Sequence, residues 1–285
     1  MAIPIINDWA RYFSDPHEGL GSSYERIVIN DVLLDVASRH GVKTALESPS
    51  FGFTGLSGIN LLGLADAGVN VTLEDDDPGR LELVSALWAR LGRPLTAVLN
   101  PDFLRLNHAD SAFDLSFSFS ALWFTPALKP WLEELSRVTA KVIFISVPNR
   151  DGLGYRMQVK DYDPATYPQL RLANIDPPSI TAILKGLGWE LAASDYFDCP
   201  PWPDIGMTKE DLLRNWFPRS RLLTRPAKAK VDAGKRVTIL DLYEGRDPGF
   251  ARRMRRYNWL ERFAPRCFKR IWAHHYYLVF TRPGS

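Results

Sequence analysis

The sequence predicts an α/β fold built on a doubly wound, mostly parallel β-sheet. Three observations carry that expectation. Strand and helix patterns alternate through the first two thirds of the chain. The segment KVIFISVPN (141–149) is almost wholly apolar, as a strand covered on both faces must be. The 285 residues, 46% of them apolar, suffice for one large domain with an elaborate insertion.

Each element can be justified from its residues. YERIVINDVLLDVASRHG (24–41) has apolar residues at helical spacing and stops on Gly41. KTALESPS (43–50) reads as a short strand entering a loop, and GINLLGLADAG (58–68) as a helix closed by Gly68. VNVTLEDD (69–76) is a β-branched strand. Asp77 followed by Pro78 then starts a helix, since the carboxylate caps free amides and proline suits the first helical position. RLELVSALWARLG (80–92) continues that helix. FDLSFSFSAL (113–122) is a strand, ALKPWLEELSRVT (127–139) a helix, PSITAILKGLGW (178–189) a helix and ELAASDYFD (190–198) a strand. The last strand, HHYYLVFTRP (274–283), comes only after an insertion in which TKEDLLRNWF (208–217) is expected to be helical, KRVTILDLYEG (235–245) extended, and DPGFARRMRRYNWLERF (247–263) helical.

Composition excludes several classes. No apolar run approaches the about 18 residues of a spanning helix, and MAIPIINDWARYF has neither the basic start nor the apolar stretch of a signal peptide, so a soluble, cytoplasmic protein is expected. Cys199 and Cys267 lack C-x-x-C spacing and are expected to be plain buried thiols. No metal-binding spacing is found, and the run Glu74 to Asp77 lacks the loop that a calcium site needs. Of His274 and His275, opening the last strand, one is expected to face the core and the other solvent.

The turn after the first strand, LESPSFGFTGLSGIN (46–60), carries the chemistry. It places an acid, Glu47, at a strand end, then Gly and Ser residues that let the backbone approach a ligand, then free amides for a carboxylate or phosphate. Glu74, Asp75 and Asp76 end the second strand, where an acid takes ribose hydroxyls. Each acid also has a plainer reading, as a cap or a solvated loop residue.

The succession of Glu47, the glycine turn, LADAGVNVTLEDDDPGRLELV, PDFLRL, FDLSFSFSALWF and VIFISVPN resembles the class I S-adenosylmethionine-dependent methyltransferases over roughly residues 40–195. That resemblance implies a seven-stranded Rossmann-like sheet whose last strand, HHYYLVFTRP, is antiparallel, and S-adenosylmethionine as cofactor. It puts Glu47 at the methionine end, Asp75 on the ribose with Asp76 beside it, and Asp102 with Phe103 at the adenine. Gly52, Thr54, Gly55, Gly58 and Asn60 form the cradle, and Ser118 lies on the fourth strand below it. The turn departs from E-x-G-x-G-x-G: eleven residues separate Glu47 from Gly58 instead of six, and Pro49 stands at the first glycine's place. An intact long-loop variant and a degenerate site are the two readings of this.

The implied organisation is a helical cap (1–40), a cofactor-binding core (41–206 and 271–285) and a basic insertion (207–270) that could act as a lid. From Lys209 onward the chain holds 19 Lys and Arg against 7 Asp and Glu, net +12, while residues 1–208 are net −10. The segment 251–272 has eight basic residues and one Glu, interleaved with Tyr257, Trp259, Phe263, Phe268 and Trp272. That composition suits a lid over an acidic small molecule, a nucleic acid, an anionic membrane surface, or a helical face whose aromatics pack on the core and whose arginines pair with the acidic remainder. A small-molecule or lipid-like acceptor is the expected substrate, with RNA or protein methylation, or cofactor binding without transfer, as alternatives. The absence of an NPPY-like run after the fourth strand argues against DNA amino methylation.

Overall fold

A computed structural model describes residues 9–51, 55–158, 165, 170–202 and 237–283. After a short helix, α1 (Arg11–Ser14), the long helix α2 (Gly19–Arg39) leads to strand β1 (Thr44–Glu47). Helix α3 (Leu62–Asp66), β2 (Asn70–Asp75), α4 (Pro78–Arg90), β3 (Thr96–Leu99), β4 (Phe113–Phe119), α5 (Leu128–Val138) and β5 (Thr139–Pro148) come next. Then come α6 (Leu153–Gln158), α7 (Pro177–Gly186) and β6 (Glu190–Phe197), and, after the insertion, α8 (Leu240–Tyr243), α9 (Phe250–Met254), α10 (Trp259–Phe263), α11 (Arg266–Trp272) and β7 (His275–Thr281).

The seven strands lie in the order β3-β2-β1-β4-β5-β7-β6. β7 runs antiparallel to both β5 and β6, and the other neighbours pair in parallel. This is the mixed sheet of the Rossmann-like methyltransferase fold. The expected start of α4 holds, because Asp77 Oδ1 accepts from the Arg80 amide at 3.0 Å ahead of Pro78.

Alternation along the strands divides the core between two faces. Ala45, Val71, Leu73, Leu115, Phe117 and Phe144 point to one side, where α2, α3 and α4 cover them. Leu46, Ile143, Ile145, Val147 and Leu278 point to the other, against Trp123, Trp131, Leu135, Ile180 and Trp189. The described part of the insertion is built into the first of these cores, since Ile239, Leu240, Phe250 and Met254 are buried with α2 and the sheet.

Several expectations need correction. The stretch 235–245 is not extended where it is described: Leu240–Tyr243 is a helical turn, because Ile239, Leu240 and Tyr243 all have to reach one core. The segment 247–263 is broken into α9, a 3-10 turn (Arg255–Tyr257) and α10, each too short to bury a continuous stripe. The helix after β1 begins at Leu62, not near Gly58. Cys199 is buried but Cys267 is exposed. His274 and His275 are both buried. β3 has no clear signal in the sequence, since TAVL is short and half-exposed at the sheet edge. The expected helix 208–217 lies outside the described residues.

Candidate functional site

Parallel strands bring the ends of β1, β2, β3, β4, β5 and β6 to one edge of the sheet, where the antiparallel β7 starts. The candidate side chains stand along that edge, as ligand-binding groups do in open α/β sheets.

At the end of β1, Glu47 is 1% exposed. Its Oε1 accepts from Asn60 Nδ2 at 2.6 Å, while Oε2 has no hydrogen-bond partner among the described residues. Burial pushes its pKa up to about 8, against the opposing effects of the Asn60 bond and the Arg26 charge. Asn60 in turn accepts from Arg26 Nη1 at 2.9 Å. Arg26, on α2, donates from Nε and Nη2 to the two oxygens of Glu18 at 2.8 and 2.6 Å, and to the Leu56 carbonyl at 2.5 Å. The Leu56 amide donates to Glu18 Oε1 at 2.6 Å. A carboxylate of the chain's own thus lies on the turn's backbone, clamped by a guanidinium.

The glycines explain the contact. Gly55 has φ +129°, and a Cβ there would come within 2.7 Å of Glu18 Oε1. Gly58 has φ +69° and faces Val84 of α4, which a Cβ would meet at 2.7 Å, so this residue lets the turn pack on α4 and is not part of the cradle's open side. Gly52 and Thr54 lie outside the described residues.

At the end of β2, Asp75 is fully buried and saturated. It accepts from Arg80 Nε and Nη2 at 2.6–3.0 Å, from Ser50 Oγ at 2.6 Å and from the Asp77 amide at 2.9 Å. Arg80 also reaches Asp76 Oδ1 at 2.7 Å. Burial raises the Asp76 pKa, with Arg80 opposing. For Arg80 itself, burial works against the charge, but Asp75, Asp76 and Asp77 together outweigh it and the pKa is raised. Glu74 is held by Ser48 Oγ at 2.8 Å and His108 Nε2 at 2.9 Å. Past β3, Asp102 is exposed and accepts from the Leu104 amide, while Phe103 is buried at φ +54°. The Phe51 ring packs against Phe103 and Phe124 at 5.7 and 5.6 Å, with the Arg80 guanidinium over its face at 4.6 Å. Ser118, on β4, is buried with its hydroxyl unpartnered among the described residues.

Further along the edge lies a group of which the sequence singled out only His274 and His275. Ser120 at the end of β4, Asp198 at the end of β6, His274 and His275 before and in β7, and Glu25 on α2 converge. His275 Nε2 is 2.6 Å from Glu25 Oε1, and its Nδ1 is 3.1 Å from Ser120 Oγ. His274 Nδ1 is 2.6 Å from Asp198 Oδ2. Burial pushes the His275 pKa down to about 3, Asp198 opposing, and raises Asp198 well above the carboxylate range together with the neighbouring Glu25. Glu261 of α10 roofs this group, accepting from Tyr24 Oη at 3.3 Å and from the Cys199 amide. Burial pushes Glu261 up to about 8. No spacing pattern signals such a cluster, because its members meet only through the sheet.

The basic segment divides in two. Arg255 pairs with Asp31, Arg270 with Asp151 and Lys269 with Asp195, joining basic residues to the acidic part of the chain. Its aromatics divide as well: Trp259 is 51% and Phe263 80% exposed, whereas Trp272 is half-buried and donates to the Pro200 carbonyl and Tyr257 packs on Trp202.

Similarity to solved structures places the fold. A candidate sarcosine dimethylglycine methyltransferase from Galdieria sulphuraria is 12% identical over 89% of this chain and 84% of its own, with a TM-score of 0.50. A candidate methyltransferase from Bacillus halodurans is 14% identical over 89% and 98%, with a TM-score of 0.51. The [4+2]-cyclase SpnF is 14% identical over 90% and 81%, also at 0.51. No protein-family model matches the chain, and no curated protein matches its sequence. The chain therefore has the class I methyltransferase fold. A cyclase shares that fold, so the reaction must be argued from the site.

Proposed function

We propose that the chain is an S-adenosylmethionine-dependent methyltransferase acting on a small-molecule or lipid-like acceptor. The observation that carries this reading is Glu47: a buried carboxyl at the end of β1, with one oxygen held by Asn60 and the other without a hydrogen-bond partner among the described residues. A buried acceptor of this kind calls for a donor, and the ammonium of the cofactor's methionine portion supplies one. The cofactor would supply a methyl group on a sulfonium whose leaving group is a neutral thioether, so transfer needs positioning more than acid or base chemistry.

The residues present fit the cofactor at three points. Glu47 takes the ammonium. Arg26 and the Leu56 amide, which hold the Glu18 carboxylate, are the groups to take the cofactor's carboxylate when Glu18 moves away. Asp102, which is exposed, and Phe103 are the residues we assign to the adenine. At the ribose the fit requires a rearrangement, because Asp75 is saturated by Arg80. Arg80 already touches Asp76, so on leaving Asp75 it keeps one charged partner. Asp76 then serves to hold Arg80, and Asp75 to accept the ribose hydroxyls. Calorimetry of the wild type and of Glu47→Gln tests the reading. Wild type should bind S-adenosylmethionine and the variant at least tenfold more weakly, whereas equal affinities would remove Glu47 from the cofactor site.

A second reading, in which the acceptor belongs to an anionic partner such as RNA or a lipid surface, is favoured by Trp259 and Phe263 standing exposed among arginines. Loss of binding to RNA or to anionic vesicles in Arg252→Ala/Arg256→Ala would support it, and an unchanged affinity would leave these residues as a solvated face.

A further inference from the structure

We propose that Glu25, Asp198 and His275 form a binding site for a divalent transition-metal cation, with one imidazole nitrogen and two carboxylate oxygens as ligands. One such atom from each residue lies within 4.8 Å of the other two. Ligands at about 2.0–2.2 Å from one ion lie at most about 4.4 Å apart, so a small closing movement of the three side chains completes the site. The three residues come from α2, the end of β6 and the start of β7, so the site is assembled on regular elements and their ends.

The surroundings of these ligands resemble the outer shell of a metal centre. Metal-binding histidines use their second ring nitrogen to fix tautomer and orientation, and ligating carboxylates are themselves hydrogen-bonded. Here Ser120 Oγ is 3.1 Å from His275 Nδ1, and His274 Nδ1 is 2.6 Å from Asp198 Oδ2. Nε2 faces Glu25 Oε1 at 2.6 Å, and a cation would take the place of the proton between them, with Nδ1–H then donating to Ser120. Ser120 and the ligand Asp198 both have left-handed backbones, at φ +47° and φ +58°, which non-glycine residues adopt only at some cost. The Phe119 and Phe197 rings pack on His275 at 4.8 and 5.5 Å and form an apolar collar.

The donor set selects the ion. One nitrogen and two oxygens are too few oxygens for calcium and lack the thiolates that favour copper(I). Zn²⁺, Mn²⁺, Fe²⁺ and Co²⁺ suit mixed imidazole and carboxylate ligands. Three protein ligands leave coordination positions for water or for an oxygen of a small molecule, at the sheet edge where substrates bind. The proposal does not rest on the methyl-transfer reading, and metal uptake is measured without cofactor.

The test uses the full chain, stripped with chelator and titrated with Zn²⁺ by calorimetry and with Co²⁺ by visible absorption. Wild type should take up one equivalent of each, with Co²⁺ giving a ligand-field spectrum. Glu25→Gln and Asp198→Asn, both nearly isosteric, should each weaken binding at least tenfold while circular dichroism shows a folded protein. Ser120→Ala, outside the ligand set, should weaken it by about tenfold through loss of imidazole orientation. If the wild type takes up no stoichiometric Zn²⁺ or Co²⁺, or if Glu25→Gln binds as tightly with the same spectrum, the cluster is a hydrogen-bonded core group and the proposal is wrong. A failure of Asp198→Asn to fold leaves the decision to Glu25→Gln.

Discussion

Replacing Glu47 with Gln should change the pH dependence of stability in a calculable way. In the folded protein the Glu47 pKa lies at about 8 because burial disfavours the carboxylate, against an ordinary value of 4.5 in the open chain. Between those two values the folded state binds the proton and the unfolded state does not. Stability therefore falls as pH rises through this window, and levels off above about 8. The contribution of a single group approaches about 1.4 kcal/mol per pH unit, so the change from about pH 5 to 8 is several kcal/mol at most, less any relaxation around the charge. Gln has the shape of the protonated acid, its amide oxygen can keep the 2.6 Å bond from Asn60, and it cannot ionise. Urea unfolding at a series of pH values should therefore show wild type and Glu47→Gln nearly equal at about pH 5 and the variant progressively more stable up to about pH 8. Other buried acids, Glu261 and Asp198 among them, contribute to both curves and cancel in the difference. A difference curve that is flat, or that rises in favour of wild type, would refute the placement of Glu47 as a buried, under-satisfied acid.

The same geometry sets further outcomes. Glu18→Gln should raise affinity for S-adenosylmethionine several-fold in calorimetry, because Arg26 and the Leu56 amide lose a charged occupant; weaker binding would show that Glu18 supports the site instead of competing for it. Asp75→Ala should cost about 3–5 kcal/mol of stability, as it leaves Arg80 buried without its main partner, whereas Asp76→Ala should cost about 1 kcal/mol or less; equal losses in urea unfolding would contradict the assignment. Cofactor affinity should rise with pH from about 6 to 8, since an ammonium prefers the Glu47 carboxylate, and proton release should appear as a buffer-dependent binding enthalpy; a pH-independent affinity would count against that contact. Deleting residues 237–270 should unfold the chain and not merely uncap it, because Ile239, Leu240, Phe250 and Met254 belong to the core shared with α2; a cooperative, native-like melt of the truncated protein would overturn this.

Local patterns make much of this fold legible. The β-branched VNVTLEDD, the Asp77–Pro78 start of α4 and the doubly buried KVIFISVPN all describe preferences of near neighbours, and each sits where the sequence puts it. Glu47 and Asp75 are legible for the same reason, since a strand end is recognised by the turn or helix start that comes after it. The features that escape are long-range. Glu18 reaches the glycine turn only because α2 crosses it, and Glu25, Ser120, Asp198 and His275 meet only when α2 packs across the ends of β4, β7 and β6. The helical turn at Leu240–Tyr243 is hidden by β-branched residues whose local preference yields to burial. Arg80 looks like an ordinary helix residue in the sequence, because nothing in DDDPGR tells which acid a cation four or five positions on will choose.

On the proposed function, the glycine turn, longer than usual, still holds S-adenosylmethionine. Calorimetric titration of the full chain with S-adenosylmethionine, S-adenosylhomocysteine and NAD tests it most directly. Saturable binding of the first two at one site is expected, abolished or weakened at least tenfold by Glu47→Gln, with no comparable binding of NAD. Preferential binding of NAD, or no binding of either sulfur nucleoside by a folded protein, would contradict it.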